Sequence, residues 1–143
     1  MARERTGGCF CGAVRYRVEG EPIDAGYCHC RMCQRTTGAP VVAWGSWDAA
    51  GFGWLTAEPK ILPSSAQGQR RFCGACGTHI LFWTAEEPEI VDVNLVTLDH
   101  PEQVAPQYHI WTDSRIPWFD TADTLPRYPD RGIDSREHRA RRE

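Results

Sequence analysis

The run Gly8-Cys9-Phe10-Cys11-Gly12-Ala13-Val14-Arg15-Tyr16-Arg17-Val18-Glu19 holds the two features that decide the fold. From Ala13 onward, apolar and charged residues alternate with a period of two, which places Val14, Tyr16 and Val18 on one face of a half-buried strand that ends at Gly20. Before it stand two thiols one residue apart. On an extended chain both point to the same side, as the arms of a metal chelate do, and Gly8 and Gly12 flank them where the backbone must turn toward sulfur.

Working outward, residues 41–44, 60–62, 69–72, 78–84, 90–95 and 107–111 also read as strands, separated by Gly, Pro, Asp and Ser. Residues 31–37 read as a helical turn, and residues 49–55, with Gly51 and Gly53, as a variable loop. Ten prolines and 13 glycines leave no window for a long amphipathic helix. The chain therefore reads as mainly β. Its 143 residues suit one domain, and the 41% hydrophobic content suffices for a core. The domain is expected over residues 1–130. Residues 131–143, where Arg131, Arg136, Arg139, Arg141 and Arg142 face Asp134, Glu137 and Glu143, read as a basic, solvated and frayed tail.

The seven cysteines are too many and too clustered to be incidental, and their odd number argues against a complete disulfide framework. No apolar run follows the charges of Met1-Ala2-Arg3-Glu4-Arg5-Thr6, and none reaches the length of a membrane span. The expected setting is the reducing cytoplasm. A net charge of -3 gives no electrostatic case for nucleic acid as a partner.

The thiols fall into three groups, Cys9/Cys11, Cys28/Cys30/Cys33 and Cys73/Cys76. Structural zinc takes four ligands, so the simplest partition of the seven is four plus three: the two pairs close one site and the trio leaves another open. Two alternatives stand beside this reading. Cys73-Gly74-Ala75-Cys76 could be a redox pair, or His29, His79, His100 or His109 could close the trio. An open three-thiolate zinc is a poor Lewis acid but binds and deprotonates an incoming thiol, which points to chemistry at sulfur. The chain lacks His-Glu-x-x-His and Gly-x-Ser-x-Gly motifs, so metalloprotease and serine-hydrolase chemistry find no support.

The opening run to Tyr16, then Cys28-His29-Cys30-Arg31-Met32-Cys33-Gln34-Arg35-Thr36-Thr37-Gly38-Ala39-Pro40 and Phe72-Cys73-Gly74-Ala75-Cys76-Gly77-Thr78, resemble the glutathione-dependent formaldehyde-activating enzyme family, also called the centromere protein V family. Pro106-Gln107-Tyr108-His109-Ile110-Trp111 and Ser114-Arg115-Ile116-Pro117-Trp118 extend the resemblance, which runs over residues 7–128. It implies an Mss4-like fold of several small curved antiparallel sheets stapled by zinc. It further implies a structural zinc on Cys9, Cys11, Cys73 and Cys76 and a catalytic zinc on Cys28, Cys30 and Cys33.

The implied activity is that of a carbon-sulfur lyase acting on a thiol-aldehyde adduct such as S-(hydroxymethyl)glutathione, with glutathione and formaldehyde as small-molecule partners. The competing reading is a non-catalytic zinc module that binds protein or nucleic acid. For the enzyme, His29 and His109 are candidate proton donors to the alkoxide, the alternative for each being a hydrogen-bonding or packed core imidazole. Arg31 and Arg35 are candidates to hold carboxylates of the thiol or else form a solvated, salt-bridged face, and Trp111 and Trp118 either wall the pocket or join the core.

Overall fold

The structure, a computed structural model, describes residues 3–132. The alternating segment forms strand β2 (Arg15–Glu19), with Tyr16 and Val18 fully buried. β1 (Glu4–Gly8) pairs with it antiparallel from Glu4↔Glu19 to Gly8↔Arg15. Nothing in the composition of Glu4-Arg5-Thr6-Gly7-Gly8 marks a strand, and the reason is steric. A Cβ on Gly7 would lie 2.5 Å from the Tyr16 hydroxyl and 2.5 Å from the Thr97 carbonyl oxygen, so the strand gives up a side chain to seat the tyrosine.

The loop expected over residues 49–55 is instead ordered structure. Ala49–Gly51 form a single 3-10 turn, and β5 (Phe52–Trp54) pairs with the free edge of β2 through Val18↔Phe52 and Tyr16↔Trp54. Tyr16 stacks on Phe52 with ring centroids 5.3 Å apart. Of the two glycines that looked like flexibility, Gly51 is a site of close approach, where a Cβ would stand 3.2 Å from Glu19 Cβ.

The second sheet has seven strands: β3 (Asp24–Cys28), β4 (Val42–Asp48), β6 (Lys60–Pro63), β7 (Gly68–Phe72), β8 (His79–Thr84), β9 (Ile90–Asn94) and β10 (His109–Ile110). Their spatial order is β10-β3-β4-β9-β8-β7-β6, antiparallel throughout except for the β10–β3 pair. The mainly β expectation holds, with the strands gathered into this sheet and the three-stranded one. Strand β3 escaped the sequence reading because Asp24-Ala25-Gly26-Tyr27-Cys28 lacks apolar alternation; a Cβ on Gly26 would come 3.0 Å from the Trp44 ring. The one α-helix among the described residues, α1 (Arg31–Thr37), falls where the sequence placed it and ends at Gly38 with φ 72°.

Strand parity divides the labour of the large sheet. Ala25, Trp47, Leu81, Val91 and Val93 face the three-stranded sheet and form with Val14, Tyr16 and Val18 the main core. The opposite face carries Cys28 and Trp44, which cluster with Tyr108 and Ile110. Among the described residues, no helix is long and apolar enough to cross a membrane.

The close fit of Gly7 makes a direct test. Gly7→Ala should lower the unfolding free energy by about 2 kcal/mol, in the range of overpacked cores, read as a reduced urea midpoint at unchanged slope. A variant as stable as the parent would show that Tyr16 and the Thr97 carbonyl are not packed this tightly against β1.

Candidate functional site

Two turns supply the four-thiol group. Cys9 and Cys11 lie in the turn from β1 to β2, where Cys9 N donates to the Val14 carbonyl at 3.0 Å and Gly12 takes φ 82°. Cys73 and Cys76 lie in the turn from β7 to β8, closed by Gly77 N to the Cys73 carbonyl at 2.8 Å with Gly77 at φ 83°. The four sulfur atoms all lie within 4.8 Å of one another, with Cys9–Cys11 at 3.6 Å and Cys11–Cys73 at 3.8 Å. Zinc-thiolate bonds of about 2.3 Å make a tetrahedron with sulfur-sulfur edges of about 3.8 Å, so the donor set fits a zinc ion. These separations are far beyond a disulfide bond, and all seven cysteines are free thiols.

Backbone amides are already aimed at these sulfurs, as they are where a thiolate is held. Val14 N reaches Cys9 Sγ at 3.2 Å, and the amides of Ala75 and Cys76 each reach Cys73 Sγ at 3.4 Å. The Thr78 hydroxyl, 3.2 Å from Cys76 Sγ, holds that thiol down to about 5.

The trio comes from the end of β3 and the start of α1. Cys28 closes the strand, paired with Val42 on one side and Ile110 on the other, and Cys30 caps α1 by accepting from Cys33 N at 3.3 Å. Gln34, almost fully buried, locks the loop: its amide nitrogen donates to the carbonyls of His29 at 2.7 Å and Ser114 at 3.1 Å. The sulfurs of Cys28, Cys30 and Cys33 also lie within 4.8 Å of one another, which fits three corners of the same tetrahedron. No histidine among the described residues joins them, so the alternative of a histidine-closed site is not what the fold builds. His29 turns away to His109, His79 stacks on Phe72, and His100 is exposed beside Glu102.

Three thiols this close cannot ionise independently. Hydrogen bonds from Cys28 and Cys33 hold Cys30 down to about 2, while those with Cys30 and Cys33 push Cys28 well above the usual thiol range. Unaided, the trio carries its first negative charge readily and the next at great cost. A cation is what such a group is fitted to hold.

The trio opens on a cavity of about 520 Å³. Trp44, Phe82, Ile110 and Trp111 give it an apolar wall, and Arg70, Asp92 and Arg131 its charge. Trp111 is in the left-handed region at φ 58°, rare for an aromatic residue, and is held there by Trp111 N to the Asp130 carbonyl at 2.8 Å and Thr112 N to the Tyr128 carbonyl at 3.0 Å.

Arg70 is the residue of this cavity that the sequence did not mark. It is 6% exposed, its Nη2 lies 3.6 Å from Cys33 Sγ, and its guanidinium sits 5.1 Å from the centre of the Phe82 ring. Its Nε is buried without a hydrogen-bond partner, and none of the ion pairs among the described residues includes it. No local signal separates Arg70 from Arg71. Only the register does, through Arg70↔Phe82 and Phe82↔Asp92 across the sheet.

The sequence model of the family described as glutathione-dependent formaldehyde-activating enzyme matches residues 4–114. The chain belongs to this family. All seven cysteines fall inside the matched region of this glutathione-dependent formaldehyde-activating enzyme family member. A Halomonas elongata protein named for the same enzyme is 28% identical over 145 residues, covering 89% of this chain and 90% of its own. The crystal structure of a Rhodobacter sphaeroides protein shares the fold at a TM-score of 0.55 and 19% identity, over 86% of this chain and 98% of that one.

Of the remaining residues singled out in the sequence, Trp111, Arg131 and the trio meet at the cavity, and Arg31, Arg35, Trp118, His29 and His109 do not. Arg31 is exposed and donates to the Gln34 side chain at 2.7 Å; Arg35 is exposed on α1. Trp118 is 77% exposed, outside the lining. His109 is fully buried on the side of β10 that stacks on Tyr27 and His29, because its neighbour Ile110 takes the cavity side. Of the arginine-rich tail, residues 133–143 lie outside the described residues.

The two thiol groups should respond differently to substitution. Cys30→Ser or Cys33→Ser should lower the bound metal by about one ion per chain with the β-sheet circular dichroism retained, whereas Cys73→Ser or Cys76→Ser should abolish the folded spectrum. Equal unfolding by both pairs would remove the distinction between a stapling and an open group.

Proposed function

We propose that this chain catalyses the reversible condensation of a thiol, glutathione in the first instance, with an aldehyde such as formaldehyde, a carbon-sulfur lyase reaction when read toward breakdown. The observation that carries this reading is the trio of Cys28, Cys30 and Cys33, joined by no fourth protein ligand among the described residues and facing a cavity of about 520 Å³. That volume is in the range of small-molecule sites. In the same reading, Cys9, Cys11, Cys73 and Cys76 hold a structural zinc, and Cys28, Cys30 and Cys33 a second one. Zinc held by the trio supplies one thing the chain cannot, the acidification of an incoming thiol at neutral pH.

The chain supplies the rest. The trio fixes where the substrate sulfur docks, and its ligand loop is held rigid by Gln34 between His29 and Ser114. Trp44, Phe82 and Trp111 give the reacting atoms an apolar wall, beside which charge interactions are stronger than in open water. Arg70 and Arg131 make the cavity receptive to an anionic thiol. The seven free thiols suit a reducing cytoplasm, where they persist unpaired.

Magnetic resonance exchange spectroscopy of an equilibrated glutathione and formaldehyde mixture tests this. The zinc-loaded chain should raise the rate of adduct exchange above the uncatalysed rate, and Cys33→Ser should return it to that background. An unchanged rate with the parent protein overturns the proposal.

A further inference from the structure

Adding a thiolate to a carbonyl carbon forms a carbon-sulfur bond and pushes the carbonyl electron pair onto oxygen, which must be stabilised until it takes a proton. Both imidazoles expected for that task are elsewhere. His29 and His109 hydrogen-bond to each other at 2.8 Å on the buried side of β3 and β10, and neither lines the cavity. The alkoxide therefore needs another partner among the donors that do.

Several donors line the cavity. Asn94 Nδ2 is engaged with the His79 carbonyl at 3.1 Å, the Ser65 hydroxyl accepts from Gly68 N at 2.9 Å and keeps its own O–H, and Ser114, the indoles of Trp44 and Trp111 and Arg131 are further donors. Arg70 differs in three respects. Its Nη2 reaches Cys33 Sγ at 3.6 Å, a sulfur that is itself within 4.8 Å of the other two, so it stands where a substrate sulfur docks. It is only 6% exposed, so its field is little screened. It also has no carboxylate to neutralise it among the ion pairs of the described residues, and its Nε has no partner. The Cys33 sulfur takes up one Nη2 hydrogen, and a buried guanidinium with donors still unused is stabilised by a further anion.

We propose that Arg70 is a catalytic residue that binds the oxyanion formed two bonds from the substrate sulfur, in both the condensation and its reverse. This rests on the thiol-aldehyde reading above. The oxygen of the S–C–O unit is the only substrate atom that gains charge during the step, so a fixed guanidinium beside the docked sulfur acts mainly on the transition state. Arg70 hydrogen-bonds to the oxyanion and keeps its own proton. The proton lost by the thiol goes to solvent, and the alkoxide takes one from water, so a thiol and an aldehyde give one hydroxyalkyl thioether with nothing left over. In reverse, the same contact stabilises the alkoxide as the carbon-sulfur bond breaks.

The test pairs Arg70→Gln with Arg70→Lys, which keeps the charge but not the planar fork, in zinc-loaded protein whose metal content and circular dichroism match the parent. Two thiols are used for turnover, glutathione with its carboxylates and 2-mercaptoethanol with none. Oxyanion binding predicts that Arg70→Gln lowers kcat about 100- to 1,000-fold for both thiols alike, with Arg70→Lys in between. A loss confined to KM for glutathione, with 2-mercaptoethanol unaffected, would make Arg70 a carboxylate anchor and overturn the proposal.

A second arm needs no turnover. Thioacetate carries a partly anionic oxygen two bonds from sulfur, and ethanethiol carries none. By calorimetry, Arg70→Gln should weaken thioacetate about 10- to 100-fold and leave ethanethiol unchanged. Equal weakening of both, or of neither, overturns the assignment. Should the parent protein bind thioacetate in this Arg70-dependent manner yet fail to speed adduct exchange, the fault lies in the proposed reaction and not in the anion site.

Discussion

Sulfur atoms packed closer than free thiols can ionise are the constraint on which the rest of this structure depends. Cys11 and Cys73 stand 62 positions apart in the chain and 3.8 Å apart in space. One belongs to the hairpin of the three-stranded sheet and the other to a turn of the seven-stranded sheet, so the quartet joins the two sheets at one end. Hydrophobic packing alone would hold them less well, since β1 contributes only Glu, Arg, Thr and two glycines to the hairpin. The aromatic rings of Tyr16 and Trp47 fill the interface from the other strands, and the amide groups aimed at Cys9 and Cys73 prepare the turns for negative charge.

The same sheet serves two purposes because its residues alternate. Along β4, Trp44 lies on the cavity and Trp47, three positions on and so on the opposite face, belongs to the core. Arg70, Phe82, Asp92 and Ser46 form a row across four strands by their register, joined at one end by the hydrogen bond from Ser46 to Asp92. A polar row of that kind would be a defect on the core face. On the cavity face it gives charge to a site whose wall is otherwise aromatic, and a slip of one residue in the pairing of β7 with β8 would turn Arg70 toward the core.

The extent to which this was legible in the sequence follows from the range of each interaction. The cysteine grouping was readable because chelates are local: two thiols with one or two residues between them must converge whatever the rest of the chain does. Strands with alternating apolar residues were readable for the same reason. Strands β1 and β3 were not, because their glycines answer to Tyr16 and Trp44 on neighbouring strands, and the Gly51 and Gly53 segment was misread for that cause as well. Arg70 was invisible among several arginines, since its place beside Cys33 is fixed by pairing with β8. Arg31 and Arg35 attracted notice by adjacency to the trio, yet a helix turn sends them to solvent while Cys33 and Gln34 face inward.

The two buried histidines gain a consistent role once they are removed from the reaction. Cys28, His29 and Cys30 follow one another, so as the thiols face the cavity the imidazole faces the other way, against His109. Burial, with His109 beside it, holds His29 down to about 4, so near neutral pH it is an uncharged hydrogen-bonding group. His109 passes the connection to Asp123 at 3.1 Å, a carboxyl that the Thr121 hydroxyl and His109 hold down to about 2. Arg127 completes the link through Asp120 at 3.1 Å and the Thr121 carbonyl at 3.1 Å. The chain from Asp123 to His29 thus fastens the segment after Trp118 to the strand that carries the thiols. It does so without placing an imidazole in the cavity beside them. The thiols and Arg70 lie on one side of β3 and the imidazole tether on the other, and the single residue of offset between Cys28 and His29 is what separates them.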